Sequence, residues 1–181
     1  MGRGWNASLP KHLDLTAVKR RSVVVESGMM FGEVGRKKPA QGVRIEWGQP
    51  TILFLTVCAV RPASWLATEV VRDSLVRVWE AADGWLVGDY VLMPDHVHLF
   101  CGPRDLRFTL EKWVEFWKRQ FSREHQNSEW VWQRSCFHHR LRSEGNYAEK
   151  LRYVRENPVR KGLVKEAGEW RFGGRVNELR W

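Results

Sequence analysis

Residues 85–101 have the sequence WLVGDYVLMPDHVHLFC, and this stretch decides the predicted fold. It reads as a strand over Trp85–Met93 and a second strand over His96–Cys101. The intervening Pro94-Asp95 pair is typical of turns. Two neighbouring strands joined by so short a turn pair antiparallel, so the stretch predicts part of an antiparallel sheet.

Elements of alternating type surround this strand pair. A β-branched, apolar run at residues 51–60 predicts a buried strand, and Thr68 is the predicted N-cap of a helix that stops before Gly84. Further along, the spacing predicts a helix over 110–121, a strand over Trp130–Leu141 and a last helix from Asn146 to Asn157. The order β-α-β-β-α-β-α predicts an α+β domain, an antiparallel sheet with helices on one face.

The charge and the aromatic content of the chain indicate a polyanionic partner. The 181 residues carry a formal net charge of +9 and include eleven tryptophans. Lysine and arginine bind phosphates with release of counterions, and indole faces can stack on unpaired bases. The alternative is that the tryptophans form the core and the charge only maintains solubility.

Residues 1–50 differ from the rest of the chain. They contain nine basic and four acidic residues, a net charge of +5, and little sustained periodicity. The sequence therefore predicts a basic, loop-rich N-terminal arm over 1–50 and a folded domain over 51–181.

Several features predict a cytoplasmic protein with no membrane partner. The longest nearly apolar run is far shorter than the roughly 20 residues that cross a bilayer, and residues 1–10 lack the apolar segment of a signal peptide. The three cysteines, Cys58, Cys101 and Cys136, are scattered and odd in number, which is typical of a reducing compartment.

The first chemical signal is the pair His96 and His98. Side chains alternate across a strand, so both imidazoles project to one face and can present ring nitrogens to one cation. The alternative is two strand histidines bonded to their neighbours. A structural zinc site using Cys136, His138 and His139 with another cysteine is a further alternative, although the chain has no Cys-x-x-Cys pair.

The last helix carries the second signal. Projected at about 100° per residue, Tyr147, Leu151 and Val154 form a buried stripe, whereas Tyr153 and Asn157 lie side by side away from it. A phenol and an amide one turn apart, close to basic side chains, suit phosphate chemistry. The basic residues nearest in sequence are Lys150, Arg152 and Arg155. We also expect Asn146 to cap this helix, with Glu149 completing a capping box. Asn157-Pro158 can equally be an ordinary helix terminator.

Three motifs in order resemble a known family. They are residues 91–98 (VLMPDHVH), Trp132-Gln133, and residues 153–164 (YVRENPVRKGLV). Together they resemble the REP-associated tyrosine transposases, single-tyrosine transposases of the HUH superfamily. The resemblance covers roughly residues 51–172 and implies a ferredoxin-like antiparallel sheet with the histidines on a central strand.

The resemblance also implies that residues 51–181 are an HUH transposase-like catalytic domain. Tyr153 would be the nucleophile that cleaves and rejoins single-stranded DNA through a 5′-phosphotyrosine, and His96, His98 and Asn157 would be the metal ligands. The metal would be Mg2+ or Mn2+, although imidazole alone would suit zinc better. The partner would be a REP-like palindrome folded as a DNA hairpin, in a prokaryotic, nucleoid-associated protein. A monomer and a homodimer both remain open.

Basic residues on two helices are the expected DNA contacts. They are Lys150, Arg152 and Arg155 on the last helix, and Lys118 and Arg119 on the preceding one.

The chain departs from the family pattern at two positions. Asp95 stands where the family usually has Asn, and His138 takes a position usually filled by Asp or Glu. The second departure leaves open any orienting role for a carboxylate there. The alternative function is a catalytically silent protein that binds specific DNA hairpins.

Overall fold

The computed structural model describes residues 50–60 and 63–181, and these form an α+β domain around one antiparallel sheet. The five strands lie in the order β4-β1-β3-β2-β5. In chain order the elements are β1 (Ile52–Ala59), α1 (Glu69–Ala81), β2 (Trp85–Leu92), β3 (His96–Pro103), α2 (Leu110–His125), β4 (Trp132–Leu141), α3 (Glu144–Arg155), α4 (Asn157–Arg160), a 3-10 turn (Ala167–Glu169) and β5 (Gly173–Arg175). The predicted fold class is confirmed. The predicted basic arm, except for Pro50, lies outside the described residues.

Helices α1 and α2 cover one face of the sheet. Alternate residues of β1 (Leu53, Leu55, Val57) face them and are fully buried. The helices bring indole rings into the same core, including Trp113 and Trp117, so these two tryptophans are packing residues. Thr68 caps α1 as predicted, since its hydroxyl accepts the Val71 amide hydrogen.

Helix α3 packs on the opposite face. Its Tyr147 and Leu151 contact a small cluster built on Phe100 of β3, and Val154 is buried against Val91 and Met93. The stripe predicted for this helix is therefore the packing stripe. The prediction that the helices lie on one face of the sheet therefore holds for α1 and α2 and not for α3. The residues of β1 and β3 that face away from α1 and α2 include aromatic rings, and these form a second apolar surface on which α3 packs.

The ends of α3 differ from the prediction. Ser143 is the N-cap in place of Asn146, because Ser143 has extended backbone geometry and its hydroxyl accepts the Asn146 amide hydrogen at 3.2 Å. The predicted capping box with Glu149 therefore does not form. Pro158 does not end the helical segment. It sits in the first turn of α4, where a missing backbone N–H costs nothing.

Among residues 50–60 and 63–181, no helix combines the length and apolar character that a membrane crossing requires.

Candidate active site

The two histidines of β3 converge on one point. Their rings are nearly perpendicular, and the Nε2 atoms of His96 and His98 lie 3.0 Å apart. Each Nδ1 atom has its own partner: Oδ1 of Asp95 at 2.6 Å from His96, and Oγ1 of Thr56 at 2.9 Å from His98. Thr56 reaches His98 because the β1–β3 register places the two residues directly opposite each other. Each ring is thus held in place through its Nδ1 atom, and its Nε2 atom points toward the other histidine.

These partners influence which nitrogen carries the proton. An ionised carboxylate only accepts hydrogen bonds, so Asp95 favours the His96 tautomer with hydrogen on Nδ1 and a free lone pair on Nε2. The Thr56 hydroxyl can donate or accept and therefore tolerates either tautomer of His98. Burial, helped by the charges of His96 and Lys150, lowers the pKa of His98 to about 3. His98 is therefore neutral near pH 7, the form that binds cations.

The spacing of the two nitrogens fits a shared divalent cation. The observed 3.0 Å separation is that of an N–H···N hydrogen bond between the two rings. Two nitrogens each about 2.1 Å from one cation and at right angles to each other would also lie about 3.0 Å apart, so a cation could replace the shared proton without a large movement of either ring. Within the described part of the chain, no group of three or more His, Cys, Asp or Glu side chains is arranged for a metal ion. A third protein ligand of another type, such as the Asn157 amide, stays a prediction.

The predicted alternative of a structural zinc site on β4 does not fit the strand geometry. Cys136 and His138 are two residues apart on β4 and project to one face, whereas His139 projects to the other. These three side chains therefore do not converge.

Lys150 links the histidine pair to Tyr153. The Phe54 ring stacks on His98 with a centroid separation of 5.2 Å. Nζ of Lys150 lies 5.1 Å from the centroid of Phe54 and 5.3 Å from that of Tyr153. Helix α3 thus carries Tyr153 on the face of the sheet that carries the histidines. The Tyr153 side chain is 49% exposed and is not part of the core, as predicted.

A second cation lies over the Tyr153 ring. The guanidinium carbon of Arg160, on α4, is 4.7 Å from the ring centroid. The sequence motif contains Arg160, but no role for it followed from the sequence.

A buried carboxylate, Asp89, anchors α3 to the sheet. It is only 1% exposed and accepts hydrogen bonds from the Tyr147 hydroxyl at 2.5 Å, from Arg155 at 3.1 Å, and from Arg175 of β5 at 2.9 Å. The β2–β3 register shifts between Val87 and Tyr90, so Asp89 sits at a bulge that turns its side chain toward α3. The sequence signal was the Gly88-Asp89 pair within a strand, since both residue types are rare there.

The predicted DNA contacts divide into three groups. Lys150 lies over the Phe54 ring that stacks on His98, and Arg152 is exposed on α3. Arg155 is ion-paired with Asp89, a carboxylate that it shares with Arg175. The prediction for Lys118 is wrong: its Nζ donates to the Gln133 carbonyl at 2.8 Å, it is buried, and burial lowers its pKa. Lys118 and the exposed Arg119 lie on α2, across the sheet from the histidines.

Comparison with known proteins supports the resemblance. The chain is 26% identical over 123 residues to a REP-associated tyrosine transposase of Escherichia coli (strain K12), covering 66% of this chain and 73% of that protein. A solved structure of a REP-associated tyrosine transposase bound to a REP hairpin superposes with a TM-score of 0.61. The resemblance to the REP-associated tyrosine transposases is confirmed.

The structural match covers 74% of this chain and 82% of the REP-associated tyrosine transposase in the solved structure, at 22% sequence identity. Because the sequence identity to this solved structure is low, the structural match establishes a shared fold. No protein-family model matches the chain.

Proposed function

We propose that the chain is a metal-dependent, single-strand DNA transesterase of the transposase type, which cleaves and rejoins REP-like hairpin DNA. One observation carries the proposal. The Nε2 atoms of His96 and His98 converge to 3.0 Å on the face of the sheet where α3 holds an exposed phenol beside Lys150. A cation site beside a nucleophile and a phosphate-binding ammonium is the minimum set for phosphoryl transfer.

In the proposed reaction, Oη of Tyr153 attacks the scissile phosphorus. The new Oη–P bond forms as the bond from phosphorus to the 3′ oxygen breaks, the phenolic proton leaves to solvent, and the released 3′ oxygen takes up a proton. One phosphate ester replaces another, so a second 3′-hydroxyl can reverse the step without ATP. Lys150 would hold the phosphate against the phenol.

His96, His98 and Asn157 would hold the metal, Mg2+ or Mn2+. A bound divalent cation would supply Lewis-acid polarisation of a non-bridging phosphate oxygen.

The charge and the relatives support a DNA hairpin as the partner. The net charge of +9 favours a polyanion. The Escherichia coli relative is named a transposase, and the solved relative is bound to a REP hairpin.

The test is covalent capture. A labelled single-stranded hairpin with a single-stranded flank is incubated with the protein and Mn2+, and an adduct that resists denaturant is sought. We expect wild type to form it, chelator to prevent it, and Tyr153→Phe to abolish it while hairpin affinity is kept. An adduct formed equally well by Tyr153→Phe would refute the assignment of the nucleophile.

A catalytically silent hairpin-binding protein is the second candidate. It is favoured by the small number of His, Cys, Asp and Glu ligands that converge within residues 50–60 and 63–181, since two imidazoles alone bind a hard cation weakly. Tight hairpin binding by wild type, with no adduct at any Mn2+ concentration, would favour it over the transesterase.

A further inference from the structure

Four functional side chains lie along one stripe of the α3–α4 segment. Measured around the helix axis from Tyr153 at about 100° per residue, Lys150 falls near +60°, Asn157 near +40° and Arg160 near −20°. The one residue between the two helices, Glu156, itself has helical backbone angles, so the stripe continues across the join. The 4.7 Å contact of Arg160 with the Tyr153 ring confirms that it does.

The two cations on this stripe carry uncompensated charge. Within residues 50–60 and 63–181, neither Lys150 nor Arg160 forms a salt bridge with a carboxylate. Arg155 differs, because it points away from the stripe and pairs with Asp89. Lys150 and Arg160 therefore both hold free charge over the ring of Tyr153, whereas Arg152 is exposed on another side of α3.

An aromatic ring holds these cations only weakly. A cation–π contact at an exposed site is weaker than a charge-assisted hydrogen bond to a phosphate oxygen. Both side chains are long, and their charged groups lie 5.3 Å (Lys150) and 4.7 Å (Arg160) from the centroid of the Tyr153 ring. A phosphate arriving at Oη would therefore draw both cations off the ring.

From this geometry we infer that Lys150 and Arg160 form a two-pronged phosphate clamp around Tyr153, which binds the scissile phosphate of single-stranded DNA. This inference rests on the proposed function and adds Arg160 to it as a catalytic residue. The planar guanidinium can bind two phosphate oxygens at once, whereas the ammonium acts as a point charge. When the Oη–P bond forms and the bond to the 3′ oxygen breaks, the phosphate keeps one negative charge. The clamp can thus hold the phosphotyrosine until a 3′-hydroxyl returns.

The experiment compares Arg160→Gln, Arg160→Lys and wild type by two measurements. The first is the rate of adduct formation at saturating hairpin with Mn2+. The second is the dependence of hairpin affinity on salt. We expect Arg160→Gln to slow adduct formation at least tenfold, as loss of one positioned donor to a charged transition state does. Its salt slope should fall by about 0.7, the value for one phosphate contact on a single strand.

Lys161→Gln is the matched control. Lys161 is the next residue, is exposed, and follows the last residue of α4. Within the described residues only Lys150 and Arg160 hold a cation over the Tyr153 ring, so the loss of Lys161 removes the same charge without removing either of these contacts. We expect a near-wild-type adduct rate in this variant and partial recovery in Arg160→Lys. Unchanged melting temperatures would show that all variants fold.

The outcomes separate the two proposals. If wild type forms the adduct and Arg160→Gln forms it at the same rate with the same salt slope, the clamp is refuted. An equal loss in Lys161→Gln also refutes it, because general charge then explains the effect. If wild type forms no adduct, the proposed function fails, and the salt slope alone decides whether Arg160 contacts phosphate.

Discussion

At the scale of single residues, Asp95 is the most informative side chain of the site. Its carboxylate lies 2.6 Å from Nδ1 of His96. A carboxylate behind a ligating imidazole fixes the ring and makes the other nitrogen a better ligand. The related family usually has Asn at this position, and an amide oxygen can accept the same hydrogen bond without the charge.

We therefore predict that Asp95→Ala weakens metal use. The Mn2+ concentration for half-maximal adduct formation should rise about 10–100-fold, since the partner that orients His96 is lost. Asp95→Asn should have a smaller effect, because its oxygen still accepts from Nδ1. Asp73→Ala, which removes an exposed carboxylate of α1, is the control. An unchanged Mn2+ midpoint in Asp95→Ala would show that Asp95 does not orient the ligand.

The sequence could predict part of this arrangement at the residue scale. Alternation along a strand is a local property, so it placed His96 and His98 on one face. Thr56 lies 42 positions from His98, and only the register between β1 and β3 brings the two together.

At the scale of elements, the position of α3 depends on one buried carboxylate. Asp89 joins α3, β2 and β5 through Tyr147, Arg155 and Arg175. Because both arginines are half-exposed, they regain water when Asp89 is removed. The larger loss is the partner of the Tyr147 hydroxyl.

We predict that Asp89→Ala lowers the free energy of unfolding by roughly 1–3 kcal/mol, the cost of leaving a buried polar group without its partner. Since α3 is then less firmly held, adduct formation should fall more than hairpin affinity. Urea unfolding followed by tryptophan fluorescence gives the first quantity, and gel shift and adduct assays give the others. Glu69→Ala breaks an exposed bridge to Arg171 and should change stability by less than about 1 kcal/mol. Equal effects of the two variants would contradict an anchoring role for Asp89.

The same cluster predicts a pH dependence of stability. Burial and the bond to Asp89 raise the pKa of Tyr147 above its usual value. On raising the pH, the unfolded chain releases this proton first, near pH 10. The stabilisation is therefore complete below about pH 10 and is lost as the pH rises toward the pKa of the folded state. Wild type should lose stability above about pH 10 more steeply than Tyr147→Phe, as measured by urea unfolding at a series of pH values. Parallel curves would contradict the predicted shift.

At the scale of the whole molecule, charge is distributed unevenly along the chain. Residues 1–50 carry +5 of the total of +9. Counterion release makes DNA affinity depend on the number of phosphates neutralised.

We predict that deleting residues 1–50 weakens hairpin binding and lowers its salt slope, because basic residues available to phosphate are lost. Affinity measured over a series of salt concentrations tests this. The deletion ends before β1 begins at Ile52, so adduct formation at saturating hairpin is the control and should persist. A slope equal to that of the full chain would show that these residues do not contact DNA.

The sequence by itself determined the properties that belong to one element at a time. The twofold repeat of β3 placed the two imidazoles together, and the helical repeat of α3 separated the packing stripe of Tyr147 and Val154 from Tyr153. These assignments hold because a strand or a helix fixes the direction of its side chains locally.

The tertiary structure decided the features that require two or more elements. It placed α3 across the sheet from α2, buried Lys118 against the Gln133 carbonyl, and made Asp89 an anchor. It also set Lys150 between the His98–Phe54 stack and Tyr153. Many contacts between residues far apart in the sequence determine the strand order, the register and the face of the sheet on which each helix packs. A local sequence pattern does not contain this information.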